Sequence, residues 1–480
     1  MAKQPSDRRW RRHHRNDCPA LPGYSSNNFS QKFTYDATDQ LSFYANGGYY
    51  NRGLERPVER EDITGGSKYN TTYEGYNWGA GAKYKLSKRN VIQFDYSGNN
   101  YASRYKYLIE NSGYLPGQYA LTKLQKFHDA ELKGIFGFTT NSTTVFGVDY
   151  RREVLRRPDS DLDKSVYTTS AYGQHEVKLW NHLTGVVGVR YDHHEQTGGR
   201  FTPKVAAMYN IGNFNVRATY AAGFRAPGID ELYYHMFKKT MGTRATISLG
   251  DENLDPERSN YYSINMEYRT NRFSASVTGY LNYVKNMVTS KSTKFDDLPE
   301  AEQNQLREEF PEIGDLSSTK NLSVKNYFNF EKATVKGFEV NLNGNLFPGF
   351  TLTGNYTYAY GRGLNEGGEW QNIERSIRHT ATITGNYTHS WSDYTLNLNL
   401  NGRLQSKVYY PGDADGTPRG SGIGTLNPRH TFDGFRNFVI EPGIGIDNIF
   451  NKKDNRPLNK NFALYSPGRS VVISLALRLK

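Results

Sequence analysis

The sequence predicts an all-β fold, a transmembrane antiparallel up-and-down β-barrel. Three observations lead there. Segments in which apolar and polar residues alternate recur from about residue 28 to the last residue. The connections between those segments alternate between short and long. The chain has 480 residues, a net charge of +12 and a mean hydropathy of −0.76. It contains no run of about 18 apolar residues, so it offers no transmembrane helix. A barrel with an alternating wall, a polar lumen and wet loops gives such a hydrophilic average.

Residues 1–27 come first. The stretch "RRWRRHHR", Arg8 to Arg15, is basic, but no apolar run follows it, so it is not a secretory signal. We read 1–27 as a basic leader, non-native-looking or disordered, ahead of a barrel over 28–480. The single cysteine, Cys18, excludes a disulfide framework. The remaining positive charge is dispersed and forms no nucleic-acid module, so no nucleic-acid partner is expected.

The strands follow from period-two alternation, because successive side chains point to opposite faces. Trp78, Ala80, Ala82 and Tyr84 alternate with Gly79, Gly81, Lys83 and Lys85. Phe273, Ala275, Val277 and Leu281 alternate with Ser274, Ser276, Thr278 and Tyr280. Phe338, Val340 and Leu342 alternate with Glu339, Asn341 and Asn343. In "YTLNLNLNGRLQS", Leu396, Leu398 and Leu400 oppose Asn397, Asn399 and Asn401. The last segment sets Val471, Ile473, Leu475, Leu477 and Leu479 on one face. Short turns fall at 36–40, 86–90, 139–142, 180–182, 210–213, 269–272, 346–350 and 389–393. Longer polar loops fall near 52–69, 108–123, 156–164, 225–257, 289–326, 362–377, 411–428 and 451–467. Such sorting is the habit of an outer-membrane barrel, with short periplasmic turns and long outer loops. The leucines then face lipid, and the asparagines face a hydrated lumen. We count about 19 strands, starting near residue 29. The weakest pair lies at 429–450, where Pro442 interrupts. An odd antiparallel count suggests upstream strands, since an even barrel begins on the side where it ends.

Two loops carry more. In 296–314, Asp297 would cap a short helix with Pro299 in its first turn and Pro311 at its end. Asp159, Asp161 and Asp163 alternate in "DSDLDKS", and Asp413 and Asp415 lie in "GDADG". Spaced carboxylates suit calcium, although the glycine and terminal glutamate of a calcium loop are absent. No nucleophile elbow, HExxH motif or phosphate loop appears, so an enzyme is not expected.

"YAAGFRAPGIDELYYHMF" (220–237) followed by "GDENLDPERSNYYSINMEYR" (250–269) resembles a TonB-dependent outer-membrane receptor. The shared marks are Phe224 to Pro227, Glu231 to Tyr233, and Asn253, Leu254, Pro256 and Glu257. "FTPKVAAMYN" (201–210) and "DNIFNKKD" (447–454) before "SPGRSVVISLALRLK" add to them, and the resemblance covers about 28–480. It implies location in the outer membrane of a Gram-negative bacterium, with outer-membrane lipid around the wall. It also implies a 22-strand barrel holding an N-terminal plug, which the TonB-ExbB-ExbD system engages. This sequence matches only about the last 19 strands, with the plug absent, and it ends in Lys480 rather than an aromatic.

The family's function is active uptake of a scarce, bulky nutrient. Haem receptors of this family place a histidine between the Phe-Arg-Ala-Pro and Asn-Pro-Asn-Leu boxes. Here the boxes are Phe224–Pro227 and Asp251–Leu254, the latter departing at its first two residues, and His235 lies between them. The resemblance therefore implies haem as the transported iron complex. His235 would ligate the iron, Tyr233 and Tyr234 would assist, and Arg225 would meet a propionate or serve the wall. No intrinsic cofactor is implied. The alternatives are a cobalamin receptor clamped by calcium on Asp159, Asp161 and Asp163, a ferric-siderophore receptor, or a truncated non-transporting pore or fragment. His193 and His194, in "DHHE", alternate faces, so at most one reaches the lumen.

Overall fold

The computed structural model describes residues 2–3, 23–55, 68–111, 113–239, 245–364, 368–373, 376–409, 421–452 and 468–479. They form one sheet of 23 strands. Four of these are short: Ala2–Lys3, His235–Lys239, Ala245–Leu249 and Trp370–Asn372. The other 19 make the wall, from Gly23–Asp36 to Ser470–Leu479, each antiparallel to the next. The sequence count of 19 is met. The first wall strand starts at Gly23, earlier than expected. The strand Ser421–Phe432 likewise takes in residues assigned to the loop 411–428. Residues 4–22, with most of the basic leader, and the "GDADG" loop lie outside the described residues.

Short turns and long loops sort as the sequence predicts. Strand ends at Asp36/Leu41, Lys85/Asn90, Thr139/Ser142, Leu179/Leu183, Ile211/Phe214, Arg269/Phe273, Phe347/Phe350 and Ser390/Tyr394 bracket the short turns. The weak pair near Pro442 is thinly paired on one side, with four partner positions between Ser421–Phe432 and Phe438–Asp447. An odd number of alternating strands leaves Gly23–Asp36 and Ser470–Leu479 running the same way. Among the described residues no pairing joins them.

The outer face is apolar. Phe273 and Tyr283, both exposed, sit ten residues apart on one strand. That is about 33 Å along the strand, or about 25 Å of height at the usual tilt, the thickness of a lipid-facing band. An aromatic layer marks its lower edge, with Phe214 against Tyr268, Phe347 against Phe350 and Trp391 against Tyr394. A second marks its upper edge, with Tyr191 against Phe201, Tyr220 against Tyr262 and Phe338 against Tyr356. Interfacial rings of this kind fix a barrel's depth.

The face assignment of the leucine–asparagine strand holds. Leu400 is exposed on the lipid side. The asparagines, however, do not rely on water alone. Asn399 donates to Asn386 at 2.6 Å, Asn401 to Thr384 at 2.7 Å and Asn397 to Thr388 at 2.7 Å. Each cross-strand bond satisfies a polar group on a strand with one wet face.

Above the membrane stands a folded cap. The wall strands Phe273–Lys294 and Leu322–Phe347 run on beyond the band, and Ala245–Leu249 pairs parallel with Leu322–Asn326. A helix, Glu300–Glu309, closes over them. Between these elements lie Ala245, Ile247, Phe295, Leu306, Phe310, Ile313, Leu322 and Val324, all buried. The helix expected in 296–314 is present, but its start differs. Pro299, not Asp297, is the N-cap residue, and Asp297 belongs to a preceding 3-10 turn. Proline's fixed φ suits a helix start, and the N-cap makes no side-chain hydrogen bond to the first turn. Pro311 follows the helix as predicted. Among the described residues no helix is long and apolar enough to cross a membrane.

Candidate functional site

The lumen wall has two unlike arcs. Between strands 90–107 and 183–194 the inner face is ionic. Lys133 reaches Glu131 at 2.9 Å and Asp95 at 3.6 Å. Tyr172 donates to Glu131 at 2.6 Å, and Arg190 bridges Asp149 at 2.8 Å and Asp192 at 2.7 Å. Arg217 and Glu267 extend the arc at 2.9 Å. From Ser274 to Asn401 the inner face within the membrane band is instead mostly serine, threonine and asparagine, joined by Tyr280 and Glu339.

The ionic arc carries a tyrosine wall at its outer end. Tyr69 and Tyr73 from one strand and Tyr101 and Tyr105 from the next point inward, alternating with outward Tyr76 and Trp78. Tyr69 stacks on Tyr105 at 3.7 Å, and Tyr73 lies parallel to Tyr101 at 6.1 Å. With Thr71, Ser103, Thr122, Lys123 and Arg157 they line a concavity of about 220 Å³. The sequence reading missed this wall. Its signal was present in "YNTTY" and "YASRY", where tyrosines recur every four residues and so share one strand face.

The 226–257 loop closes against this wall. Arg225 ends the rising strand and holds both sides of the loop. Its guanidinium donates to Glu231 at 3.0 and 3.3 Å and to Glu257 at 2.7 Å. Glu231 also accepts Gly228 N–H at 2.7 Å, and Glu257 accepts Val288 N–H at 2.8 Å. Arg225 is therefore a clasp whose charge is met by two carboxylates. The short helix Ile229–Tyr233 buries Ile229 against Leu155, Leu162 and Val166, with Tyr233 packed on the group. Gly250 is required beside it, since a Cβ there would lie 2.6 Å from the Leu232 carbonyl.

Tyr233 and Tyr234 each meet a cation. Lys164 sits over the Tyr233 ring at 4.8 Å and Arg157 over Tyr234 at 5.1 Å, with the guanidinium also donating to the Tyr234 hydroxyl. Burial pushes the Tyr233 phenol above its usual range, and the Glu252 and Glu195 carboxylates add to the push. A phenol held protonated is a poor anionic ligand. His235 opens the strand His235–Lys239 and belongs to the cap. Its ring stacks on Phe310 at 4.4 Å, and its Nε2 lies 3.5 Å from Glu309. It remains about half exposed.

Of the three aspartates, the side chains of Asp161 and Asp163 are described. Asp161 adopts a left-handed φ of 49° at the tip of its turn. Asp163 lies 3.6 Å from Arg156, both exposed. Of Asp159 only the backbone turn is described. Among the described residues no three His, Cys, Asp or Glu side chains form a metal-binding group. Of the histidine pair, His194 is the buried inward one and accepts Gln196 N–H at 3.3 Å, while His193 faces outward.

Known proteins share this architecture. The family model for the TonB dependent receptor-like β-barrel matches residues 9–437. The chain is 24% identical over 315 residues to the ferric enterobactin receptor PirA of Pseudomonas aeruginosa, covering 60% of this chain and 38% of that one. It is 21% identical over 426 residues to the ferrienterobactin receptor of Escherichia coli, covering 78% and 52%. It is 21% identical over 286 residues to the vitamin B12 transporter BtuB of Vibrio cholerae, covering 56% and 41%. The chain thus spans 38% to 52% of the length of these curated relatives. A variant of the ferric enterobactin receptor PfeA of P. aeruginosa superposes with a TM-score of 0.71 at 16% identity, covering 97% of this chain and 71% of that one. The siderophore receptor PirA of Acinetobacter baumannii gives 0.70 at 15%, covering 95% and 71%. These likenesses show the fold.

Proposed function

The chain belongs to the TonB-dependent receptor β-barrel family of the Gram-negative outer membrane, and from that premise we propose that it serves active uptake of a ferric siderophore of aromatic, anionic character. The observation that carries the reading is the tyrosine wall with its cations. Four inward phenols beside Lys123 and Arg157, at the outer mouth, offer flat faces, hydroxyl donors and positive charge together. A ferric catecholate complex is bulky, aromatic and negatively charged, and matches all three. The curated relatives named for ferric enterobactin support the same ligand class. Uptake would draw on the TonB-ExbB-ExbD system, as the family does.

Haem, the ligand implied by His235 in the sequence, has weaker support. That imidazole is already packed on Phe310 beside Glu309, and its neighbours Tyr233 and Tyr234 are engaged by cations. Cobalamin has the BtuB relatives in its favour. Of the carboxylates its calcium clamp would use, Asp163 lies beside Arg156.

The test is ligand binding by the folded chain, read by quenching of intrinsic fluorescence. A ferric catecholate should bind more tightly than a ferric hydroxamate, haem or cobalamin. Arg157→Ala with Lys123→Ala should weaken it by about tenfold or more, on the order of two lost charge-assisted contacts. A Soret shift on haem binding that His235→Ala abolishes would return the assignment to haem. Calcium-dependent cobalamin binding lost in Asp161→Ala and Asp163→Ala would move it to cobalamin.

A further inference from the structure

The outward face carries a row of cations just above the upper aromatic layer. Arg258 lies directly opposite Lys285, and Lys285 directly opposite Lys332, across three neighbouring strands. All three share the parity of Tyr262, Ile264 and Met266, of Val277 and Tyr283, and of Phe338 and Leu342, the side chains that face lipid. All three are exposed. Among the described residues none of them forms a salt bridge. Glu257, next to Arg258 in sequence, faces inward to Arg225.

The band of charge continues around the wall. Lys336 lies one same-face step below Thr334 and two below Lys332, with its ammonium 6.0 Å from the Tyr360 ring. Arg378 sits over the same ring at 4.7 Å. Both are exposed. Tyr360 thus holds two cations at one level while its own strand carries Tyr356 and Tyr358 below it.

Two physical facts bear on this row. Like charges directly opposite each other on a sheet repel, at a Cβ separation of about 5 Å, so the wall gains nothing from the arrangement by itself. An anion lying across the row converts that repulsion into attraction. The height is the second fact. Lys285 is two residues beyond Tyr283, and Lys336 two beyond Phe338, or about 7 Å along the strand. Interfacial rings sit at headgroup level, so the cations stand at the phosphate layer of the outer leaflet.

We propose that Arg258, Lys285 and Lys332, extended by Lys336 and Arg378, form a binding site for the phosphorylated headgroup of an outer-leaflet lipid. The acyl chains of such a lipid run down the apolar face between Ile264, Val277 and Leu342. Its phosphates bridge ammonium and guanidinium groups on adjacent strands, which ties three strands together from outside. The site is on the opposite face from the ligand mouth, so it stands whether or not the chain takes a siderophore.

The experiment uses the full chain folded in detergent micelles, with bisphosphorylated lipid A as the probe and native mass spectrometry as the readout. Dephosphorylated lipid A is the control for the acyl chains, and inorganic phosphate is the competitor. The parent chain should retain the phosphorylated lipid in preference to the dephosphorylated one. Lys285→Gln with Lys332→Gln should reduce retention by about tenfold or more, on the order expected when two cations leave an anionic surface. Lys285→Arg with Lys332→Arg should keep it. Heat-modifiable mobility on gels confirms that each variant is folded, and exposed polar substitutions of this kind leave a barrel intact. Equal retention of both lipids, or retention unchanged in the glutamine pair, would overturn the proposal. Displacement by inorganic phosphate with comparable affinity would reassign the row to a free anion and equally overturn a lipid site.

Discussion

Truncating Phe295 to alanine should melt the outer cap and leave the barrel standing. Phe295 is fully buried among Ile247, Leu306, Phe310, Ile313, Leu322 and Val324. Arg307 covers the ring from the helix, with its guanidinium 4.9 Å from the centroid. A buried phenylalanine removes about 150–250 Å² from water. At about 25 cal/mol/Å² that is about 4–6 kcal/mol as an upper bound, and phenylalanine-to-alanine changes in cores cost about 3–5 kcal/mol. A loss of about 4 kcal/mol is comparable with the whole stability that a small core supplies. The wall enters that core only through the outward extension of Leu322–Phe347, and within the membrane its strands are held by cross-strand ladders and by lipid. Limited proteolysis of the folded protein in micelles reads the outcome. Phe295→Ala should expose 295–321 to cleavage, and Phe295→Leu should do so far less. Heat-modifiable mobility should persist in both. Unchanged resistance of 295–321 in the alanine variant, or loss of the barrel together with the cap, would refute the claim that the cap has a separate core.

Two further outcomes follow from the wall and the loop. Leu398→Arg should cost about 2–4 kcal/mol in a bilayer, whereas Asn399→Leu should cost only the amide pair with Asn386, about 1 kcal/mol; equilibrium unfolding from vesicles checks both, and the reverse order would exchange the two faces. Arg225→Ala should loosen 226–257 by about 1–2 kcal/mol, a figure already reduced because the guanidinium is nearly half exposed; hydrogen exchange should speed up in that loop alone, with the barrel transition unmoved.

The wall was legible because its code is local. A period of two and the sorting of loop lengths are both visible in one dimension, so Leu396 to Asn401 announced their faces and eight short turns fell where the strands end. The first strand was set too late because "GYSSNN", Gly23 to Asn28, lacks apolar alternation and joins the sheet through backbone pairing with Leu41–Glu55. The cap was not legible as a unit. Ala245 to Leu249 and Phe295 to Val324 are far apart in the chain, and only a parallel pairing brings Ala245 onto Leu322. His235 shows the same limit. Its place between two motifs could be read, but its partner Phe310 lies 75 residues away, and nothing near His235 in sequence points to it. Arg225 was readable as a wall residue because it ends a strand, while its two carboxylate partners come from opposite ends of a loop.

The two arcs of the lumen differ in what holds them. In the ionic arc, each charge is fixed by one partner on its own strand and one two strands away: Glu131 takes Lys133 and Tyr172, and Arg190 takes Asp192 and Asp149. A group with two charged partners cannot turn toward a passing ligand without leaving one of them unmatched, which costs more than an exchange with water. In the uncharged arc, amides and hydroxyls pair with neutral partners, as Asn399 does with Asn386 and Asn401 with Thr384. Such bonds are worth about as much as the bonds to water that replace them. One side of the lumen is therefore set in place by its charges, and the other trades partners at little cost. The tyrosine wall stands at the outer end of the fixed side, where Tyr69 and Tyr105 stack at 3.7 Å and Lys133, through Asp95, ties the strand of Tyr101 and Tyr105 to the next.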